Sequence, residues 1–324
     1  MVQEKAMLHF TCKYVTLTCG DNMKNKFKGI AYLVFATVIW GSTFVAQSVG
    51  MDHIGPFTFL AVRNLLAAVF LVLVIAVFEW KDLKKYWRKW ADPVLWRAGF
   101  LCGISLFIAA SLQQIGLVYT DAGKAGFLTA MYIVLVPFLG LFYGRKPGIM
   151  AVISVFLAVV GLYLLSCIGV SSINIGDLLL IACALAFAWQ ITLIDRYAAN
   201  LDGLRLNCVQ TIVVAVLSGV FMCLTEEPTV TDIVNCWLPI SYAGILSTGV
   251  AYSLQILGQK HLEPTPASLI MSLESVFAVL SGWLILNERM STAEYTGCAL
   301  VFAAVILSQI PIKKRSSIAS NKTA

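Results

Sequence analysis

Ser105-Leu106-Phe107-Ile108-Ala109-Ala110-Ser111-Leu112-Gln113-Gln114-Ile115-Gly116 returns 142 residues later as Ser247-Thr248-Gly249-Val250-Ala251-Tyr252-Ser253-Leu254-Gln255-Ile256-Leu257-Gly258. Both copies lie in strongly apolar stretches. Polar Ser and Gln positions coincide together with Ala, Leu and Gly, which chance similarity between apolar segments does not produce. One membrane-embedded unit has been used twice. If the unit holds an odd number of spans, its copies face opposite ways across the bilayer, an arrangement found in many transporters.

Composition agrees. Of 324 residues, 59% are apolar and 12% charged, whereas soluble domains carry about 25% charged residues. The chain reads as an all-α polytopic membrane protein, with no hydrophilic stretch long enough for a separate domain. The longest polar connection runs from about Phe78 to Val94. Nine cysteines are scattered without a C-x-x-C pair and read as small apolar filler. The three histidines, His9, His53 and His261, fall in the tail or in loops, so neither a metal site nor a cofactor is expected.

A bilayer core of about 30 Å takes about 20 apolar residues of helix. Ten segments qualify: about 29–48, 57–78, 95–117, 122–143, 147–168, 175–194, 206–225, 237–258, 265–286 and 292–311. Residues 1–23 fit no span. They read as a disordered tail or an over-extended start before Met23-Lys-Asn-Lys-Phe-Lys, because Glu4, Lys5, His9 and Lys13 interrupt any signal-peptide core. The first repeat is expected over 24–168, the second over 175–312, and a basic tail over 313–324.

With the N-terminus placed in the cytoplasm, 20 of the 23 Lys and Arg fall on the cytoplasmic side. The exceptions are Arg63, Lys124 and Arg289. That asymmetry favours ten spans with both termini inside the cell. The net charge of +6 is then topological and implies no nucleic acid. At the offset of 142, span three matches eight, four matches nine and five matches ten. Spans one and six pair through Gly29 and Gly176. Each half has five helices, so the halves are inverted.

Glu274 is the sharpest candidate. It stands ten residues into span nine, about 15 Å deep, where a carboxylate is costly unless paired, hydrated or protonated. It could meet a substrate ammonium, carry a coupling proton, or act as a structural acid between helices. Its repeat equivalent is Tyr132. Arg63 could hold a substrate carboxylate or pair with an acid, but a structural or outward-snorkelling role is favoured. Lys124 could snorkel or face an outer mouth. Gln113, Gln114 and Gln255 either bond across helices or line a cavity, and Trp40 and Gln190 line a pocket or pack on lipid. Pro137 predicts a kink or hinge in the middle of span four. Gly99-x3-Gly103 and Gly140-x3-Gly144 suit helix packing, within the chain or in a homodimer. No P-loop, HExxH or G-x-S-x-G pattern occurs.

Ile39-Trp40-Gly41-Ser42-Thr43-Phe44-Val45, Ala267-Ser268-Leu269-Ile270-Met271-Ser272-Leu273-Glu274-Ser275-Val276-Phe277-Ala278 and Gly282-Trp283-Leu284-x-Leu286-x-Glu288-Arg289 together resemble the EamA branch of the drug/metabolite transporter superfamily. The resemblance covers about residues 24–312. It implies spans one, three, four, six, eight and nine around a central cavity, and export of small metabolites across the plasma membrane by alternating access. The family commonly has Pro after the span-nine Glu. Ser275 stands there instead and predicts a straighter helix. Branches of the superfamily carry amino acids, drugs, nucleotide sugars or sugar phosphates. With Arg63 and Lys124 as the only cations at depth, the phosphate carriers rank lower. The reading is a secondary transporter of amino-acid-like or related amphipathic solutes. A facilitator is the alternative, and a membrane receptor or enzyme ranks last. The expected partners are a small-molecule substrate and the lipid bilayer.

Overall fold

A computed structural model describes the chain except residues 1, 52, 121, 146, 167–173, 286–289 and 311–324. Side chains are described from Met23 onward, with 83–85, 122–123, 166, 282 and 285 also excepted. The expected basic tail and the motif positions Leu286, Glu288 and Arg289 lie outside the described residues, as do the side chains of residues 1–22.

In hydrocarbon, backbone N–H and C=O groups find partners only within the segment, so each apolar run closes into helix. Among the described residues there is no strand. Eight helices are long and apolar enough to cross a bilayer: Met23–Met51, Pro56–Glu79, Pro93–Tyr119, Lys124–Phe142, Ile175–Ala198, Gly203–Thr225, Trp237–Gln259 and Pro264–Ser281. The first of these is the later part of a helix over Val2–Met51. Two shorter apolar helices, Ile149–Leu165 and Thr292–Ser308, stand where spans five and ten are expected. The protein is an all-α polytopic membrane protein. Lys26 Nζ donates to the carbonyl of Gln309 at 3.1 Å, so span one begins beside the end of span ten. An even number of crossings requires that.

Local chemistry sets the helix starts. Pro56, Pro93 and Pro264 occupy first turns, where a missing N–H costs nothing. Asn174 with Asp177 and Ser291 with Glu294 form capping boxes at the heads of spans six and ten. Span ten is bounded at both ends, and its 17 residues stop at the Gln309 cap. The head of span two is capped from a distance. Glu226 accepts from the backbone N–H groups of Phe57 and Thr58, both at 2.8 Å, and from the Thr58 hydroxyl at 2.6 Å.

The connection after span two, expected as a polar loop, contains a short helix, Leu83–Trp90. An ion-pair cluster holds it to the bundle. Lys89 meets Glu79 at 2.5 Å and Asp202 at 3.1 Å. Arg205 pairs with the same two carboxylates, at 3.0 Å from Asp202, and lies against the rings of Tyr86 and Trp90, 5.5 and 5.4 Å from their centres.

Span three packs on span six and span eight on span one, while two packs on seven and five on ten. The repeat-related glycines make the first two crossings. A Cβ added to Gly176 would lie 2.9 Å from the Gly116 carbonyl and 2.5 Å from the Thr120 hydroxyl, and one added to Gly258 would lie 3.0 Å from the Gly29 carbonyl. Backbones this close leave no room for a side chain. Gly176→Val is therefore expected to destabilise by about 1–3 kcal/mol through overpacking. Gly219→Ala, which meets nothing within 4 Å, serves as control. Thermal unfolding in detergent checks both, and equal midpoints would refute the tight crossing. The Gly99/Gly103 notch is filled within the chain, by Val209 and Val213 of span seven.

Three spans are irregular at mid-depth. Span four breaks at Met131, between Ala122–Ala130 and Tyr132–Phe142. Pro137, from which a kink or hinge is expected, lies inside the second piece, and the break itself falls at Met131, before it. Its ring bears on the carbonyl four residues back, Ile133, so the disturbance falls on the turn before the proline. Span nine breaks at Ser272, between Pro264–Met271 and Leu273–Ile285, so the absence of proline at 275 does not straighten it. The Ser272 hydroxyl donates to the Leu269 carbonyl at 2.8 Å, which bends a helix locally. In span eight, Tyr242–Ala251 is a π-helix. Asn207 of span seven supports it by donating to the carbonyls of Thr248 and Gly249 at 3.0 and 3.1 Å.

Candidate functional site

The broken spans four and nine bring Tyr132 and Glu274 together. Tyr132 begins the second piece of span four, and Glu274 lies in the first turn of the second piece of span nine. The Tyr132 hydroxyl donates to Glu274 Oε1 at 3.2 Å. A helix N-terminus favours negative charge, so the break supports the carboxylate it exposes. Interrupted helices of this kind form the midplane sites of several transporter folds. The Ser275 hydroxyl ties the two spans by donating to the Gly126 carbonyl at 3.2 Å.

Around this pair lies a narrow chamber with about 40 Å³ of room for solvent. Six residues singled out from sequence line it: Trp40, Arg63, Gln113, Tyr132, Gln255 and Glu274. Trp40 meets Tyr252 edge-on at 5.0 Å, and Tyr132 meets Phe187 at 6.5 Å, giving the chamber aromatic walls. Gln113 Nε2 donates to the Thr129 hydroxyl at 3.4 Å. Arg63 does not snorkel. It is 5% exposed and directed into the chamber lining, with its guanidinium 5.7 Å from the Phe59 ring centre.

Three expected residues stand elsewhere. Gln190 faces away, bonded to Gln255 at 3.3 Å and Gln210 at 3.5 Å, and so backs the wall. Gln114 accepts from Gln47 at 2.9 Å, and it is Gln47 that reaches the chamber. Lys124 pairs with Asp177 at 2.6 Å. The residues not foreseen are Thr43, Gln47, Ser247 and Tyr252. Positions 40, 43, 44 and 47 follow one helical face, so the first two were findable from their spacing. Ser247 lies in the π-helix that Asn207 supports, and Tyr252 directly follows it.

The two faces of the bundle differ. At one, Thr120 donates to Asn174 and Asp177 at 3.0 and 3.2 Å, Asn174 donates to the Tyr119 carbonyl, and the Lys124–Asp177 pair spans the same seam. At the other, a vestibule of about 980 Å³ opens between the ends of spans four, six and eight and the start of nine. Pro137, Trp189, Lys260 and Glu263 line it, with the Arg145–Asp195 pair, 2.7 Å apart, at its wall. Its lining residue His261 lies against Gly29, so the vestibule is on the face where span one begins.

The profile of the EamA-like transporter family matches this chain twice, over residues 27–167 and 174–309. The chain belongs to that family. Among relatives of this EamA-like chain, an uncharacterised transporter of Archaeoglobus fulgidus is 33% identical over 86% of this chain and 85% of its own length. The uncharacterised transporter YoaV of Bacillus subtilis is 24% identical over 87% and 97%. The threonine/homoserine exporter RhtA of Escherichia coli K12 is 24% identical over 76% and 80%. A solved crystal structure, 17% identical, superposes with a TM-score of 0.69 over 86% of this chain and 95% of the other, and so shares the fold.

Proposed function

We propose that the protein is a secondary transporter that exports small amino-acid-like solutes from the cytoplasm across the plasma membrane by alternating access. The observation that carries this reading is Glu274, held by Tyr132 at paired breaks of spans four and nine inside an aromatic chamber. Two five-helix halves, residues 24–168 and 175–312, are inverted about that centre, with both termini cytoplasmic. The vestibule is then the inward mouth, and the Lys124 seam is the closed outer side. A relative that exports threonine and homoserine supports an amino-acid-like cargo.

A single carboxylate can hold a substrate ammonium or a proton, but not both. Outward release of substrate and inward passage of a proton then become one exchange at Glu274. In proteoliposomes, saturable counterflow of an amino acid is expected, with net flux accelerated by an opposing proton gradient. Flux that follows only the solute gradient would make the protein a facilitator. Flux that never saturates would make it a channel.

A further inference from the structure

Among the described residues the buried cations are paired, with one exception. Arg205 meets Glu79 and Asp202, Lys124 meets Asp177, and the more exposed Lys89 and Arg145 also have carboxylates within 3.1 Å. Arg63 has no such partner. Among the described residues its guanidinium makes no ion pair, and its Nε is buried without a hydrogen-bond partner. The carboxylate at the head of its own helix, Glu226, is occupied by Phe57 and Thr58. Leaving a guanidinium out of water without an anion costs several kcal/mol. A protein keeps such a group in a membrane-embedded chamber when the missing partner arrives from outside.

We propose that Arg63 is the subsite for the carboxylate of the transported solute. This rests on the transport reading above and narrows it to zwitterions. Arg63 stands on span two and Glu274 on span nine, yet both line one chamber. Among the described residues no ion pair joins them, and Glu274 is bonded to Tyr132 instead, although a low-dielectric site would draw opposite charges together if their helices allowed it. One positive and one negative group, on different spans, thus face one chamber, the complement of an α-amino acid. A guanidinium also receives a carboxylate through two parallel N–H donors. The chamber's balance of one positive and one negative charge disfavours a phosphate dianion, which Glu274 would repel.

The test uses purified full-length protein, with tryptophan fluorescence as one readout because Trp40 lines the chamber. The standard L-amino acids are titrated, then the amide and the decarboxylated amine of each one that binds. Wild type is expected to bind the acid about tenfold or more tighter than the amide, the strength of a hydrogen bond to a charged group. Arg63→Gln should reduce the acid to the level of the amide and leave the amide unchanged, and Arg63→Lys should recover part of the difference. An unaltered acid-to-amide ratio in R63Q overturns the assignment. So does failure of any amino acid to bind while other solutes still exchange. Unfolding of both R63Q and R63K also overturns it, because the arginine then holds helices rather than a solute. Absence of counterflow for every solute by wild type defeats the transport reading itself. Intact counterflow with unchanged selectivity in R63Q defeats only the role of Arg63.

Discussion

Glu274→Gln is expected to stop proton-driven export in proteoliposomes while leaving folded protein in the membrane. Glutamine keeps the shape of the side chain, and its carbonyl oxygen still accepts from the Tyr132 hydroxyl. It loses the charge and the capacity to take a proton. Affinity for an ammonium-bearing solute should fall about tenfold to a hundredfold, the range for a lost hydrogen bond to a charged group. Coupling to the proton gradient should vanish altogether. Unfolding should move the other way. Glu274 is 8% exposed, and an amide is cheaper than a carboxylate in such a place, so the midpoint should hold or rise. Tyr132→Phe removes only the hydroxyl and should lower flux by about tenfold, the lower end of the range for a hydrogen bond to a charged group. Wild-type flux and coupling in Glu274→Gln would end the assignment.

The second large effect concerns stability. Arg205 is 1% exposed, against the rings of both Tyr86 and Trp90 and paired with Glu79 and Asp202. Removing one member of a buried network leaves the others uncompensated, so Arg205→Met should cost about 3–5 kcal/mol. Lys89 bridges the same carboxylates but is one-third exposed, and Lys89→Met should cost about 1 kcal/mol or less. Thermal midpoints of the two variants, side by side, test the difference. The network also predicts acid sensitivity. Burial of Asp202 would raise its carboxyl, but Lys89 and the Arg205 N–H outweigh burial and hold it below the usual range. A lowered folded value means the contribution is present at neutral pH and is lost as pH falls below about 4.

Much of the fold was legible because helix contacts impose it on the sequence. Gly116, Gly176, Gly29 and Gly258 recur because two backbones meet at each crossing. Tyr132 and Glu274 matched at the repeat offset, and they are hydrogen-bonded in the structure. The irregularities were not legible, because they arise between helices. The π-helix of span eight depends on an amide from span seven. Lys124 is paired because Asp177 happens to cap the span beside it. Gln255 and Gln190 lie on the chamber-facing and outer layers of one wall, a difference of rotation that apolar segments do not encode in hydropathy. The break in span nine lies at Ser272, whose hydroxyl bonds back to Leu269, and it is present without the proline usual in its family.

Span ten, closed at Ser291 and again at Gln309, has one consequence for the lipid around it. Its 17 residues reach about 25 Å, short of a hydrocarbon core of about 30 Å. It packs on span five, and Tyr295, Phe302 and Ile306 on its far side are exposed. Acyl chains along that edge must compress or tilt to meet it, at a fraction of a kcal/mol for each ångström. The molecule therefore carries a thin flank, and the bilayer bears on it as a spring whose stiffness depends on chain length. Shorter-chain lipids relax that spring, so membrane composition alone sets how hard the bilayer presses on that edge.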